Sequence, residues 1–141
     1  MKYIFLLLML VSSSTAHGQS ILGKWETYDG DKKENGVNGV IEIKKAGEIY
    51  SAKITENFDT SENSTCEKCT GDKKNKPIVG LDIIEGIQKN GDKFDDGTIL
   101  NPKSGEVYKC YLKLVEPNKL KVRAYSWLTI MGKTQYLRRK E

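Results

Sequence analysis

The stretch Glu106-Val-Tyr-Lys-Cys-Tyr-Leu-Lys-Leu114 decides the fold, because its side chains alternate along the chain with a period of two. Successive side chains of a β-strand point to opposite faces, so this period predicts a strand with one buried face. Pro117-Asn118 is typical of a turn, and Leu120-Lys-Val-Arg-Ala-Tyr125 repeats the alternation. Four residues of the first strand are predicted to point inward: Tyr108, Cys110, Leu112 and Leu114. The other four are predicted to point outward: Val107, Lys109, Tyr111 and Lys113.

Further short alternating runs are separated by turn residues, and no stretch shows a helical period. These runs are Trp25–Tyr28, Val40–Lys44, Glu48–Thr55, Ile78–Ile84, Gly97–Asn101 and Thr134–Arg139. About eight strands at hairpin spacing predict an all-β fold, either a small antiparallel barrel or a strongly curved sheet. A barrel is favoured because closure leaves no open strand edge. The residues expected inside are Ile41, Ile43, Tyr50, Ile54, Tyr108, Leu112, Leu114 and Val122.

The N-terminal residues 1–18 have the layout of a secretory signal peptide. Lys2 precedes an apolar run that ends at Val11, and small side chains follow. The run is far shorter than the ~20 apolar residues that span a bilayer. We therefore expect residues 19–141 to be a single β-barrel domain with no integral membrane segment, located in the periplasm or secreted.

The charge pattern gives no sign of a nucleic-acid partner. The 141 residues contain 23 Lys and Arg and 19 Asp and Glu, for a net charge of +4. The basic residues are scattered except at 73–76 and 138–140, and we find no basic face interleaved with aromatic residues. The lysine run at 73–76 is interpreted as a solvated loop.

Cys66 and Cys69 lie in a polar segment, and three interpretations of the pair are open. A disulfide is the default state of nearby thiols in an oxidising compartment, so we predict one between Cys66 and Cys69. A pairing that involves Cys110 is the second, and a reactive thiol–disulfide centre is the third. The third would need a strand before the pair and a helix after it to lower the pKa of a thiol, and the flanking residues offer neither.

Other chemistry has few candidate residues. The only histidine, His17, lies in the signal, which excludes a histidine-dependent hydrolase. A zinc site would have to combine all three cysteines with a carboxylate, so we expect no metal and no cofactor. The nearest group of paired carboxylates is Asp82, Glu85, Asp95 and Asp96. Acidic residues of this density occur on any solvated surface, so no catalytic residue is assigned.

Large aromatic side chains lie in or beside the predicted strands and suggest a cavity. An eight-stranded barrel encloses space either for its own side chains or for one small ligand, and both alternatives stay open. The candidate cavity-lining residues are Tyr50, Tyr108, Leu112, Tyr125 and Trp127.

The opening Ile21-Leu-Gly-Lys-Trp25 resembles the Gly-x-Trp start of the lipocalin and related calycin barrels. In those barrels an arginine of the last strand commonly packs over the tryptophan. The resemblance implies that Trp25 closes the barrel together with Arg138 or Arg139.

A second resemblance covers nearly all of residues 19–141. It rests on motifs in a fixed order: Gly23-Lys-Trp25, Cys66-x-x-Cys69, Asn75-Lys-Pro-Ile-Val-Gly80, Gly97-x-Ile99-x-Asn-Pro102, Ser104-Gly-x-x-Tyr-x-Cys110, Leu120-Lys-Val-Arg123 and Gly132-x-Thr-Gln135. In this order the motifs resemble those of the bacterial exported domain-of-unknown-function family 2147. The chain departs from the family pattern at five positions: Asn101 for aspartate, Ala124 for glycine, Phe94 for tryptophan, Lys133 for arginine and Leu137 for tryptophan.

The sequence therefore predicts an exported, non-enzymatic barrel that binds a small apolar molecule in the cell envelope. The alternative is a filled barrel that contacts an envelope protein through the loop at 57–76. A C-x-x-C thiol–disulfide enzyme is the third reading.

Overall fold

The computed structural model describes residues 20–28, 36–58, 64–126 and 129–140. Eight antiparallel strands form a closed barrel, which confirms the predicted fold class. The strands are β1 (Gly23–Tyr28), β2 (Val37–Ala46), β3 (Ile49–Asn57), β4 (Asp82–Asn90), β5 (Lys93–Leu100), β6 (Val107–Glu116), β7 (Lys119–Ser126) and β8 (Thr129–Arg139). A 3₁₀ turn at Gly71–Lys73 lies between β3 and β4. No helix in the described ranges is long and apolar enough to cross a membrane.

Each strand pairs with the next along the chain, and the first strand pairs with the last. This closure is short, because β1 and β8 are joined at only two register pairs, Trp25 with Arg139 and Glu26 with Arg138. Three tight hairpins, β2–β3, β4–β5 and β6–β7, lie at the end of the barrel near Trp25, which we call the closed end. The β1–β2, β3–β4, β5–β6 and β7–β8 connections lie at the other end, which we call the open end.

The predicted strand at 78–84 is wrong in its position. β4 occupies Asp82–Asn90 and forms a hairpin with β5, which begins at Lys93, earlier than the predicted start at Gly97. The turn between them contains Asn90-Gly91, and Gly91 has φ +65°. Asn-Gly is a strong hairpin signal because glycine adopts positive φ without strain.

The inward side chains of all eight strands form the main core, which fills the closed half of the barrel. Of the eight residues expected inside, five are buried: Ile41, Ile43, Tyr50, Leu112 and Val122. The remaining three, Ile54, Tyr108 and Leu114, are half-buried. Cys110 is fully buried opposite Ala124, so the strand Val107–Glu116 has the alternation that its sequence predicts.

A second, smaller core lies beside the open end of β5. It contains Cys66, Cys69, Ile78, Leu81 and Leu100, all buried. We call residues 64–81, which contribute four of these five, the disulfide segment. The segment is tied to β3 by hydrogen bonds from Ile54 N to Leu81 O (3.0 Å) and from Gly80 N to Ile54 O (2.7 Å).

Candidate functional site

A cavity of about 570 Å³ occupies the open half of the barrel. All eight strands contribute to its wall, because it lies between the strand ends at the open end of the barrel. The main core forms its floor on the side of Trp25. Ligand cavities in proteins usually measure roughly 300–1,000 Å³, so this one has room for a small organic molecule.

The part of the cavity wall next to the main core is aliphatic. Five β-branched residues from five different strands line it: Ile41, Ile54, Ile83, Ile99 and Val122. β-Branched side chains favour the extended backbone of a strand. They also present a stiff apolar surface to the cavity.

Polar side chains line the rest of the cavity towards the open end: Thr27, Asn38, Glu56, Asn57, Asn101, Lys103, Ser126, Lys133 and Gln135. The Thr27 hydroxyl donates to Asn38 Oδ1 at 2.5 Å. Gln135 and Lys133 lie opposite Val122 and Ala124 in the β7–β8 register, which places them on the inward face. Neither side chain has a hydrogen bond or an ion pair to another described residue. The cavity therefore combines an aliphatic floor with a polar rim, in which the Gln135 amide and the Lys133 ammonium group are available to a ligand.

The structure places the sequence-predicted cavity residues at different heights in the barrel. Tyr108 lines the cavity. Tyr125 borders it, but its ring packs outside against Tyr111 at 6.5 Å between centroids. Tyr50 and Leu112 are corrections: both point inward, but they lie in the core below the cavity, where Tyr50 contacts Phe94 edge to face at 5.0 Å. Trp127 lies outside the described residues.

Tyr108 carries a polar group to the rim of the cavity. Its hydroxyl donates a hydrogen bond to a carboxylate oxygen of Glu106. This hydrogen bond, together with partial burial and the charge of Glu106, raises the pKa of the Tyr108 hydroxyl. The group therefore stays protonated at neutral pH and acts there as a hydrogen-bond donor to the glutamate.

The closed end is sealed by Trp25, whose side chain is fully buried. Its indole N–H donates to the Ile21 carbonyl at 2.8 Å. The Arg139 guanidinium lies 4.4 Å from the Trp25 ring centroid. It also donates to three backbone carbonyls at the barrel end: Leu22 (3.0 Å), Ser20 (2.6 Å) and Pro117 (3.2 Å).

Arg138, the other arginine candidate, does not contact Trp25. It lies opposite Glu26 on the outer surface and interacts there with Tyr28. Of the two arginines, the structure therefore assigns the position over the tryptophan to Arg139.

Cys66 and Cys69 form a disulfide, with 5.4 Å between their Cα atoms. Both residues are buried in the small core beside β5. Cys66 Sγ lies 3.5 Å from the Pro102 carbonyl oxygen. This contact is not a hydrogen bond, because a disulfide sulfur carries no proton. An attacking thiolate has no access to a disulfide buried in this way, so the geometry does not favour the redox reading.

Cys110 is the one free cysteine, and we expect it to be unreactive in the folded protein. Burial raises the pKa of its thiol to about 12, against an ordinary value of 9.0. At pH 8 the thiolate fraction is then about a thousandfold lower than in the unfolded chain. Titration with Ellman's reagent without reductant should detect no thiol in the native protein and one per chain in guanidinium chloride. Detection of three thiols in the denatured sample would contradict the disulfide.

The carboxylates singled out in the sequence do not form a catalytic pair in the cavity. Glu85 pairs with Lys73 at 3.2 Å on the surface, and Asp95 accepts a hydrogen bond from Asn90 at 3.3 Å. None of Asp82, Glu85, Asp95 and Asp96 is among the residues that line the cavity. Within the described ranges, no group of three or more His, Cys, Asp or Glu side chains is arranged to hold a metal ion.

The structure corrects one reading of the charge pattern. Lysines that are scattered along the sequence meet on the outer surface of β5, β6 and β7, with tyrosines between them. The antiparallel register causes this, since it places Lys93 beside Lys113 and Lys113 beside Lys121. A basic face interleaved with aromatic residues is therefore present, although the sequence showed none.

Comparison with known proteins gives the following matches. The profile of a family described as "Uncharacterized protein conserved in bacteria (DUF2147)" matches residues 23–139. Among solved structures, protein HP1028 from Helicobacter pylori, described as belonging to the lipocalin family, matches with a TM-score of 0.71 and 16% identity. The match covers 86% of this chain and 84% of that one, and it shows that the fold is lipocalin-like.

A redesigned β-barrel also matches, with a TM-score of 0.47 and 17% identity over 85% of this chain and 91% of that one. No curated protein sequence matches this chain.

Proposed function

Because this chain belongs to the bacterial family of uncharacterized proteins DUF2147 and forms a lipocalin-like barrel, we propose that it binds a small apolar molecule. The cavity of about 570 Å³ with its aliphatic wall is the observation that carries the proposal. In this proposal the ligand is held without chemical change; the carboxylates Asp82, Glu85, Asp95 and Asp96 do not line the described part of the cavity. The signal-like pattern of residues 1–18 supports a role in the cell envelope.

The shape of the interior supports binding over a barrel filled by its own side chains. The closed half is filled: Trp25, Leu120 and Leu137 are almost completely buried there. In the open half, the inward positions of β7 carry smaller side chains, Val122, Ala124 and Ser126. Transfer of an apolar ligand from water to this wall is favourable by roughly 25 cal/mol for each Å² of apolar surface buried.

The polar groups of the cavity limit what the ligand presents at the open end. Lys133 offers an ammonium group and Gln135 an amide, and neither is satisfied by another described residue. A ligand whose apolar body lies between Ile41, Ile99 and Val122 can therefore place a polar end group near these two side chains. Such a ligand is apolar over most of its surface and polar at one end.

Filling the cavity with Ala124→Trp should weaken ligand binding without unfolding the barrel. Ala124 lies on the inward face opposite Cys110, so an indole at this position occupies the space of the ligand. Titration with the neutral fluorescent probe N-phenyl-1-naphthylamine should give saturable enhancement with the wild type. The variant should bind at least about tenfold more weakly, because the probe and the indole compete for one cavity.

The matched control is Ala46→Trp, which places the same side chain at the exposed closed end of β2 and should bind the probe like the wild type. Circular dichroism must show a folded barrel for both variants. Wild type without saturable enhancement, or Ala124→Trp with unchanged affinity, would contradict the proposal. A ligand-free native mass together with a partner captured through residues 57–76 would instead support the interaction-module alternative.

A further inference from the structure

The outer surface of β5, β6 and β7 carries an uncompensated set of cations. Five of them, which we call the basic face, form no ion pair with any described residue: Lys93, Lys109, Lys119, Lys121 and Arg123. The β6–β7 register places Tyr111 opposite Arg123 and Lys109 opposite Tyr125, so the cations belong to one continuous surface. Charges of one sign held this close repel each other, and an anionic partner relieves that repulsion.

Acidic side chains reach this surface at its β5 edge and near the closed end. Asp95 follows the inward Phe94 and therefore takes an outward position of β5, where it accepts a hydrogen bond from Asn90 at 3.3 Å. Asp92 pairs with Lys113 at 3.3 Å and is largely exposed. Glu116 lies opposite Lys119 at the β6–β7 turn without forming an ion pair to it. None of these carboxylates forms an ion pair with a cation of the basic face, so the surface keeps an excess of positive charge.

Tyrosines lie between the cations, with ammonium groups above their rings. Lys93 Nζ and Lys121 Nζ lie 4.9 and 5.6 Å from the Tyr111 ring centroid. Lys119 Nζ lies 4.8 Å from the centroid of Tyr136, a residue that is 43% exposed. Recognition of nucleic acids on such a surface depends on open aromatic rings that stack on bases. Ammonium groups already lie over the Tyr111 and Tyr136 rings, so these two rings are not open for stacking on bases.

Two exposed valines on β6 extend this surface with apolar groups. Val107 is 59% exposed and Val115 is 41% exposed, and they lie at opposite ends of the strand that carries Lys109 and Tyr111. Tyrosine, lysine and exposed apolar side chains occur together where proteins contact the headgroup region of a bilayer. A soluble polyanion would match the lysines but would gain nothing from the valines.

From these contacts we propose that the basic face docks the protein on an anionic phospholipid surface. The lysines and Arg123 lie against the lipid phosphates, the tyrosine hydroxyls lie at headgroup level, and the valines contact the glycerol region. The face reaches the open end of the barrel through Tyr125, which also borders the cavity. Docking in this orientation brings the cavity entrance close to the lipid surface.

Sedimentation with sucrose-loaded vesicles tests this docking. The wild type should bind vesicles of three parts phosphatidylcholine to one part phosphatidylglycerol, and not vesicles of phosphatidylcholine alone. Binding should fall steeply between 50 and 500 mM NaCl because salt screens the attraction. Each cation near an anionic surface accounts for about a fivefold change in partition. Lys109→Glu combined with Lys121→Glu should therefore lower the partition coefficient at least about twentyfold.

The matched control is Lys74→Glu combined with Lys76→Glu. It makes the same change in net charge at two exposed lysines of the disulfide segment and should bind vesicles like the wild type. The cavity variant Ala124→Trp should also sediment like the wild type, so failure of docking and failure of ligand binding are distinguishable. Equal loss of binding in both double variants, or no binding of the wild type to anionic vesicles, would overturn the proposal. Tighter binding to duplex DNA than to these vesicles would also overturn it.

Discussion

Replacement of Trp25 by alanine should lower the free energy of unfolding by about 3–5 kcal/mol, the range found when large aromatic side chains are removed from cores. Trp25 is 0% exposed, so its whole ring would be replaced by a void at the closed end. The loss also removes the hydrogen bond to Ile21 and the surface on which Arg139 rests. Guanidinium chloride denaturation followed by far-UV circular dichroism measures the change.

Two further variants separate burial from the role of the arginine. Tyr136→Ala removes an aromatic ring that is 43% exposed, and its cost should stay below about 1 kcal/mol. Arg139→Lys keeps the charge but cannot span three carbonyls while stacking on the indole, so it should cost more than the tyrosine variant. Trp25→Ala with the stability of Tyr136→Ala would show that the closed end is not held by the tryptophan.

The parts of the fold that could be predicted are those in which alternation and turn chemistry agree. In β6 and β7 both signals are present, and the hairpin forms around Pro117-Asn118. The run at 78–84 misled the prediction because two of its apolar residues, Ile78 and Leu81, serve the small core around the disulfide. An apolar side chain is expected to be buried, but the sequence does not show which of the two cores it belongs to.

The cavity could be predicted only in part, for a related reason. A period of two identifies the inward face of a strand but not the height of a residue along the barrel axis. Tyr50 is the second residue of β3, beside the closed-end turn, and Leu112 is buried in the main core, so both belong to the floor. Gln135 and Lys133 were missed because their inward position depends on the β7–β8 register.

The basic face could not be predicted either, because the sequence does not show which charged residues of different strands become neighbours. Lys93, Lys109 and Lys121 lie in three strands, and none of them belongs to a basic run in the sequence. Each lysine occupies the outward position of an alternating strand, so each looks like an ordinary solvated residue. The two-dimensional arrangement arises only when three strands are paired in register.

The second large effect is expected at Gly105, where the β5–β6 connection meets the disulfide segment. A Cβ atom at this position would overlap the Lys68 carbonyl oxygen, and it would lie 2.5 Å from the Lys68 carbonyl carbon and 3.1 Å from Cys69 N. These are backbone atoms, so no side-chain rotation relieves the clash. Gly105 also has φ +74°, a conformation that costs an L-residue about 1–2 kcal/mol.

Gly91→Ala is the control that isolates the contact from the backbone conformation. Gly91 has a similar φ of +65°, but a Cβ atom there has nothing within 4 Å. Gly91→Ala should therefore lower the free energy of unfolding by only about 1–2 kcal/mol, whereas Gly105→Ala should lower it more because the disulfide segment must move away from β5.

Hydrogen exchange of the Cys66 and Ile78 amides, which donate to Lys76 O and Ser64 O, reports this movement of the disulfide segment. Their protection should be lost in Gly105→Ala and kept in Gly91→Ala, while β7 amides stay protected in both. Equal protection in the two alanine variants would mean that the segment is held by its own small core and not by contact with Gly105.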